Sequence, residues 1–174
     1  VQLWVALPDS VRGMEPTFEH VANPPTFSKP ALEATVFMGT LGGVTSPAKI
    51  YSALVGAELN VTGSAMLPID SGWEHGVLVI SGEAEINGVV IAPDQLVFFE
   101  TGMAELKLKG DFKAILIGGE PFAEPIVMWW NFIARTSDEI VAMRDSWNVR
   151  EASFGEVEDN IGGWIPAPQL PNAT

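Results

Sequence analysis

The pattern of apolar and polar positions divides the chain into stretches of different character. Residues 1–7, "VQLWVAL", are apolar and alternate weakly, as a strand would, and Pro8 ends them. Residues 8–48 then carry Pro8, Pro16, Pro24, Pro25, Pro30 and Pro47 and several glycines, which predicts an extended segment wrapped over a surface. From about Ile50 to Gly119 the pattern becomes that of short strands. "ELNVTG" places Leu59 and Val61 on one face and Glu58, Asn60 and Thr62 on the other; "AELKLKG" does the same with Leu106 and Leu108 against Glu105, Lys107 and Lys109. "HGVLVISG" is a near-continuous apolar run, as expected of a strand covered on both faces. Asn87-Gly88 between "EAEI" and "VVIAP" is a strong hairpin signal. "LVFFE" and "KAILIGG" follow, and Gly102, Gly110 and Gly118 read as the turns between separate strands. Strands recurring without helices between them predict an antiparallel jelly-roll barrel.

One helix is predicted, late in the chain. "TSDEIVAMRDSW" opens with Thr136-x-x-Glu139, a capping box, and places Ile140, Met143 and Trp147 on one face. That stripe reads as core. "IGGWIPAPQLPNAT" reads as a tail.

Composition narrows the function. With 47% hydrophobic residues in 174, the chain can bury a real core. The absence of Cys excludes disulfides, thiolate metal sites and Cys nucleophiles and fits a reducing compartment, so a cytoplasmic location is expected. Nine Lys+Arg against 22 Asp+Glu give a net charge of −13. A field of that sign opposes direct nucleic-acid binding, which needs a basic surface to release phosphate counterions, and opposes anionic membranes. No run approaches the length of a membrane span. The start has neither a signal-peptide pattern nor a Met and reads like a chain entered in its middle.

The one candidate metal constellation lies at "SGWEHGVLVISG". Glu74 and His75 are adjacent, so on a strand they point to opposite faces and cannot share one interior. His20, the other histidine, lies in the loop-rich leader. No nucleophile elbow, phosphate loop or dinucleotide fingerprint is present. Glu83 and Glu85 share a face but read as solvated strand positions. Adjacent Trp129 and Trp130 in "MWWNF" would bury well only if covered on two sides; barrel–barrel packing is the expected cover, and a shelf for a small aromatic molecule is the alternative.

The stretch as far as Pro93 resembles the cupin superfamily, whose barrels hold a metal on two His-containing motifs. On that spacing the ligand Glu falls on His75, with Glu74 one residue off. The motif's first two histidines fall on Ile69 and Ser71, or on Pro68 and Asp70, and the last on Phe98. The glycine, hairpin and proline of the scaffold persist, and the ligands do not.

"GGEPFAEPIVMWWNFIARTSDEI", Gly118 to Ile140, resembles the segment that closes the second barrel of pirin-family proteins. "QLWVALP" and "EPTFEH" resemble the end of the first pirin barrel, with Phe18 and Glu19 departing from the pattern, and "SFG" at 153–155 is similar to the family's Phe-Gly. The resemblance implies a bicupin whose iron, or another divalent metal, is held in the first barrel by three His and a Glu. This chain resembles only the second half. It also implies quercetin-type dioxygenase chemistry for the parent or, in eukaryotic relatives, iron-dependent regulation in transcription-factor complexes.

These readings give three expected segments: residues 1–48 as strand and wrapping linker, 49–122 as a metal-free cupin barrel, and 123–174 as aromatic crossing segment, helix and tail packed on it. No catalytic residue, metal ligand or cofactor is expected in this chain. His75, Glu74, Phe98, Trp129 and Trp130 are the candidate barrel or interface residues. The expected partner is the N-terminal pirin barrel or a second copy, and a free-standing ligand-binding cupin is the remaining alternative.

Overall fold

The structure is a computed structural model that describes residues 1–155 and 161–170. It contains two compact units, one formed by Leu7–Phe122 and the other by Val1–Ala6 with Ala123–Thr174.

The larger unit is the β-rich one. In chain order it holds β1 (Thr26–Lys29), β2 (Leu32–Met38), β3 (Thr40–Leu41), β4 (Val44–Thr45), β5 (Leu54–Pro68), β6 (Glu74–Ile86), β7 (Val89–Ile91), β8 (Leu96–Phe99) and β9 (Glu105–Gly119). Seven of these form one sheet in the order β1-β2-β5-β9-β6-β7, with β8 also on β6, and β3 pairs with β4 alone. Every pairing is antiparallel.

Alternation decides which side chains form the core. On β5, Leu59 and Val61 are buried while Thr62 is exposed; on β9, Leu106 and Leu108 are buried while Lys107 and Lys109 are exposed, as the spacing predicts. The long β6 changes parity. Val77 and Val79 point inward at odd numbers and Ala84 and Ile86 at even ones, because the register with β9 slips between Val79 and Ser81. An extra residue at a bulge moves every later side chain to the other face. Leu78 and Ile80 are only half-buried, so the outer face of this run is less covered than its apolar sequence suggests.

Gly110 does not separate two strands. It lies inside the 15-residue β9, opposite Gly63 on β5 and Ala84 on β6. Its φ is +130°, and an added Cβ would stand 1.9 Å from the Glu83 carbonyl oxygen. Gly82 makes the reciprocal approach, with Cβ space only 2.1 Å from the Asp111 oxygen. Glycine at such points lets long strands bend sharply without a break, as closure into a barrel requires. Asn87 and Gly88 do form the tight turn, with φ of 51° and 84° and Ile86 paired to Val89.

Two expectations for the leader are corrected. Residues 1–7 contain no strand: an alternating apolar sequence forms one only where a ladder partner exists, and Val1 and Trp4 are instead 81% and 49% exposed. Residues 8–48 are not all linker, because β1 and β2 join the main sheet and Leu32, Ala34 and Val36 enter its core. The flanking prolines hide the alternation of "LEATVFM". Lys49 N–H donates to the Glu19 carboxylate at 2.9 Å, tying the remaining loop to the strand region.

In the smaller unit β10 (Val127–Trp129) and β11 (Phe132–Ala134) form a hairpin, followed by α1 (Ser137–Asn148) and a single 3-10 turn at Ala152–Phe154. The Thr136 hydroxyl accepts from Glu139 N–H at 3.2 Å, and the Glu139 carboxylate accepts from Arg135 N–H at 2.7 Å. The expected cap is therefore present, reaching back one residue further than a capping box does. Ile140 is buried, and Met143 and Trp147 pack with it among Phe132, Trp129 and Trp130.

Candidate functional site

His75 sits near the start of β6, where β9 and β8 flank it, and is 2% exposed. Its ring stacks on Trp73, with centroids 6.5 Å apart. On the other side lies Gly118: a Cβ there would come within 2.5 Å of His75 Cδ2 and 3.0 Å of Nε2, so glycine makes room for the imidazole. Nδ1 has no hydrogen-bond partner. Burial lowers the pKa of His75 below the ordinary 6.5, against the smaller opposing pulls of the Trp73 backbone and the Asp70 carboxylate. A buried neutral imidazole is the result.

The other candidates do not join it. Glu74 is half-buried and adjacent along the strand, which turns it to the opposite face. Asp70 is exposed and accepts the Gly72 N–H at 2.8 Å, holding the turn that leads into β6. Phe98 is 57% exposed; the residue paired with His75 is Phe99, which packs against the core. The position where the cupin spacing would need its last histidine is thus a surface phenylalanine. His20 is exposed in the leader. Among the described residues no three of His, Cys, Asp and Glu stand close enough together to hold an ion. A single imidazole over a glycine does not fit a divalent metal, which takes several donors.

Trp129 and Trp130 form part of a different assembly. Trp130 occupies the turn between β10 and β11 with φ of 51°, so it is not on the extended segment that the sequence suggested. The left-handed turn brings both rings into one cluster, 6.5 Å apart, instead of sending them to opposite sides. Trp130 meets Phe132 and Trp147 edge-on at 5.3 and 5.7 Å. Trp164 stacks on Trp147 at 4.0 Å, and the Trp147 indole N–H donates to the Ile165 carbonyl at 2.8 Å. Within the Pro/Gly-rich tail Trp164, Ala167 and Leu170 therefore pack on this cluster while the other residues to 170 are exposed; residues 171–174 lie outside the described residues. Arg135, its side chain 8% exposed, pairs with Glu124 at 2.9 Å across the base of this hairpin. That pair accounts for the charged ends of the "EPIVMWWNFIAR" segment. Gly118, Trp73 and the Glu124–Arg135 pair were not among the candidates, because each acquires its role only through a partner distant in sequence or across the sheet.

A bent antiparallel barrel with an apolar interior is of the cupin class. The description "Pirin C-terminal cupin domain" matches residues 54–154. This chain belongs to the pirin family. It is 33% identical over 98% of its length to a Pseudomonas aeruginosa protein named "Putative quercetin 2,3-dioxygenase", and 28% identical over 97% to a Caulobacter vibrioides "Pirin-like protein". The alignments cover 55% and 59% of those two relatives, so the chain spans little more than half of either. A crystal structure of quercetin 2,3-dioxygenase from Acinetobacter baumannii superposes with a TM-score of 0.91 at 38% identity, covering 98% of this chain and 58% of that one. No helix among the described residues is long and apolar enough to cross a membrane.

Proposed function

We propose that this chain is the metal-free half of a two-barrel pirin, a cytoplasmic scaffold whose work is to hold and present a partner barrel. The observation that carries this reading is His75: at the place where the cupin spacing puts a ligand, the imidazole is buried over Gly118, and no three of His, Cys, Asp and Glu stand together among the described residues. The acidic charge supports a partner other than nucleic acid or an anionic membrane. The names of the relatives favour a second reading, in which the complete molecule is a metal-dependent quercetin-type dioxygenase and this half shapes it without touching the metal.

Metal content and association test the first reading together. After dialysis the purified chain is expected to hold no stoichiometric iron, nickel or zinc, and to sediment as a complex with a separately expressed N-terminal half. Retained metal that is lost in His75→Ala, or a monomer indifferent to that half, overturns it. Flavonol turnover by the two halves together, absent from either alone, supports the second reading as well.

A further inference from the structure

Three of the chain's five lysines, Lys29, Lys107 and Lys109, line one groove of about 820 Å³ on the outer face of the barrel. In a molecule of net charge −13 this concentration is unexpected. The floor of the groove is three strands wide. Leu106 and Leu108 point into the core, so Lys107 and Lys109 project outward from β9. Lys109 lies in a row with Ser64 on β5 and Glu85 on β6; Lys107 lies in the next row, opposite Met66 and beside Asn87. Met66 is 56% exposed and supplies an apolar patch beside Lys107.

Two turns form the walls. On one side Pro30 and Ala31 are held against β5 by the bond from Thr62 N–H to the Ala31 carbonyl, at 3.0 Å, which places Lys29 on the rim. On the other side the Asn87 side-chain oxygen accepts Lys107 N–H at 2.8 Å and fixes the Asn87-Gly88 turn. Lys29 and Lys107 form no ion pair among the described residues. Lys109 contacts Glu85 at 3.0 Å, but with 64% of the lysine side chain exposed that pair is weak and exchangeable for another carboxylate.

The spacing identifies the occupant. Residues two apart on a strand are separated by about 6.7 Å, so Lys107 and Lys109 present two charges at the repeat of an extended peptide's own alternate side chains. We infer that this groove binds an extended acidic segment of a partner protein. Carboxylates at alternate positions meet the two lysines, Lys29 closes one end, and an apolar side chain on that same face of the segment rests on Met66. A nucleic acid suits the groove less well: its phosphates recur at every residue, so one must meet Glu85 in the lysine row, whereas a peptide can carry its carboxylates only where it meets a lysine. The inference needs only the barrel described above, not the pairing proposed for it.

Fluorescence anisotropy with a labelled peptide of the repeat Glu-Thr-Glu-Thr-Leu-Thr, which sets its acids and its leucines on one face of an extended chain, is the test. Saturable binding is expected, weakening as salt is raised because the contacts are exposed. Reversing both charges, Lys107→Glu with Lys109→Glu, should weaken it about tenfold or more. Met66→Glu should weaken it by a route that leaves the lysines in place. Lys113→Glu, on the same strand but outside the groove, should leave it unchanged. Far-UV circular dichroism melts show that each variant remains folded. No binding, binding unaffected by these groove substitutions, or equal binding of duplex DNA or of a peptide of the same composition with its acids contiguous overturns the inference.

Discussion

Substituting Gly110 with alanine gives the most demanding test of how the barrel is closed. Two costs add at this position. The backbone is at φ +130°, a conformation that a residue with a Cβ adopts at a cost of about 1–3 kcal/mol. The new methyl would also start 1.9 Å from the Glu83 carbonyl oxygen, about 1.5 Å inside an ordinary contact, with the Glu83 carbonyl carbon at 3.0 Å. Neither is the movable end of a side chain, so β6 and β9 must separate, which for overpacked sites costs about 1–3 kcal/mol more. Gly110→Ala is therefore expected to destabilise the barrel by about 2–6 kcal/mol, a large part of the roughly 5–15 kcal/mol that holds a domain together. Gly88→Ala is the matched control: its φ is also positive, at 84°, but nothing lies within 4 Å of the added Cβ. It should cost only the backbone part, about 1–2 kcal/mol. Urea titrations followed by far-UV circular dichroism compare the two, since the strands dominate that signal. Equal losses for both variants, or a smaller loss at Gly110, would refute the close approach of β6 and β9.

Two further expectations concern single side chains. Because the folded pKa of His75 lies below 6.5, the unfolded chain binds its proton first as the pH falls. The contribution of His75 to stability is thus complete above pH 6.5 and declines as acidity increases; His75→Phe should flatten the slope of stability with pH in that range, and an unchanged slope refutes the burial argument. Thr136→Ala removes the acceptor for Glu139 N–H and should cost about 1 kcal/mol, seen in the fluorescence of the tryptophan cluster that α1 carries; no change in its unfolding midpoint would mean the cap is redundant.

The parts of this fold that were legible in the sequence depend on neighbours along the chain. The alternation at Leu59–Val61 and Leu106–Leu108, the Asn87-Gly88 turn and the Thr136 cap are all of that kind. The missed features depend on partners elsewhere. Gly110 looks like a turn residue whether a chain reverses there or merely bends under a crossing carbonyl. Trp130 is a bulky residue of the kind rarely found in a left-handed turn, so no propensity points to it. Prolines around β1 and β2 suggested a linker, since a local reading cannot see β5 waiting to pair with "LEATVFM". At the candidate site, motif counting put the position of the ligand Glu on His75, but it could not foresee Trp73 and Gly118 beside the ring. Alternation alone puts Lys107 and Lys109 on one face of a strand, and only the two flanking turns, one of which carries Lys29, make that face a groove.

The position of β9 in the sheet also governs how the barrel can assemble. β5 and β6 follow each other in sequence yet do not pair; β5 has β2 on one edge and β6 has β7 and β8, but each finds its longest ladder on β9, which comes last of the three. The contacts that close the structure join Pro68 to Glu105 at the nearest and Leu54 to Gly119 at the farthest. Such non-local pairings exact the loop-closure entropy before any reward, which slows folding. During synthesis, β5 and β6 therefore emerge as long apolar strands with open edges and must wait for β9 to leave the ribosome. A nascent chain halted before Glu105 would be prone to join its neighbours, so the interval ahead of β9 is when this protein has most need of a chaperone.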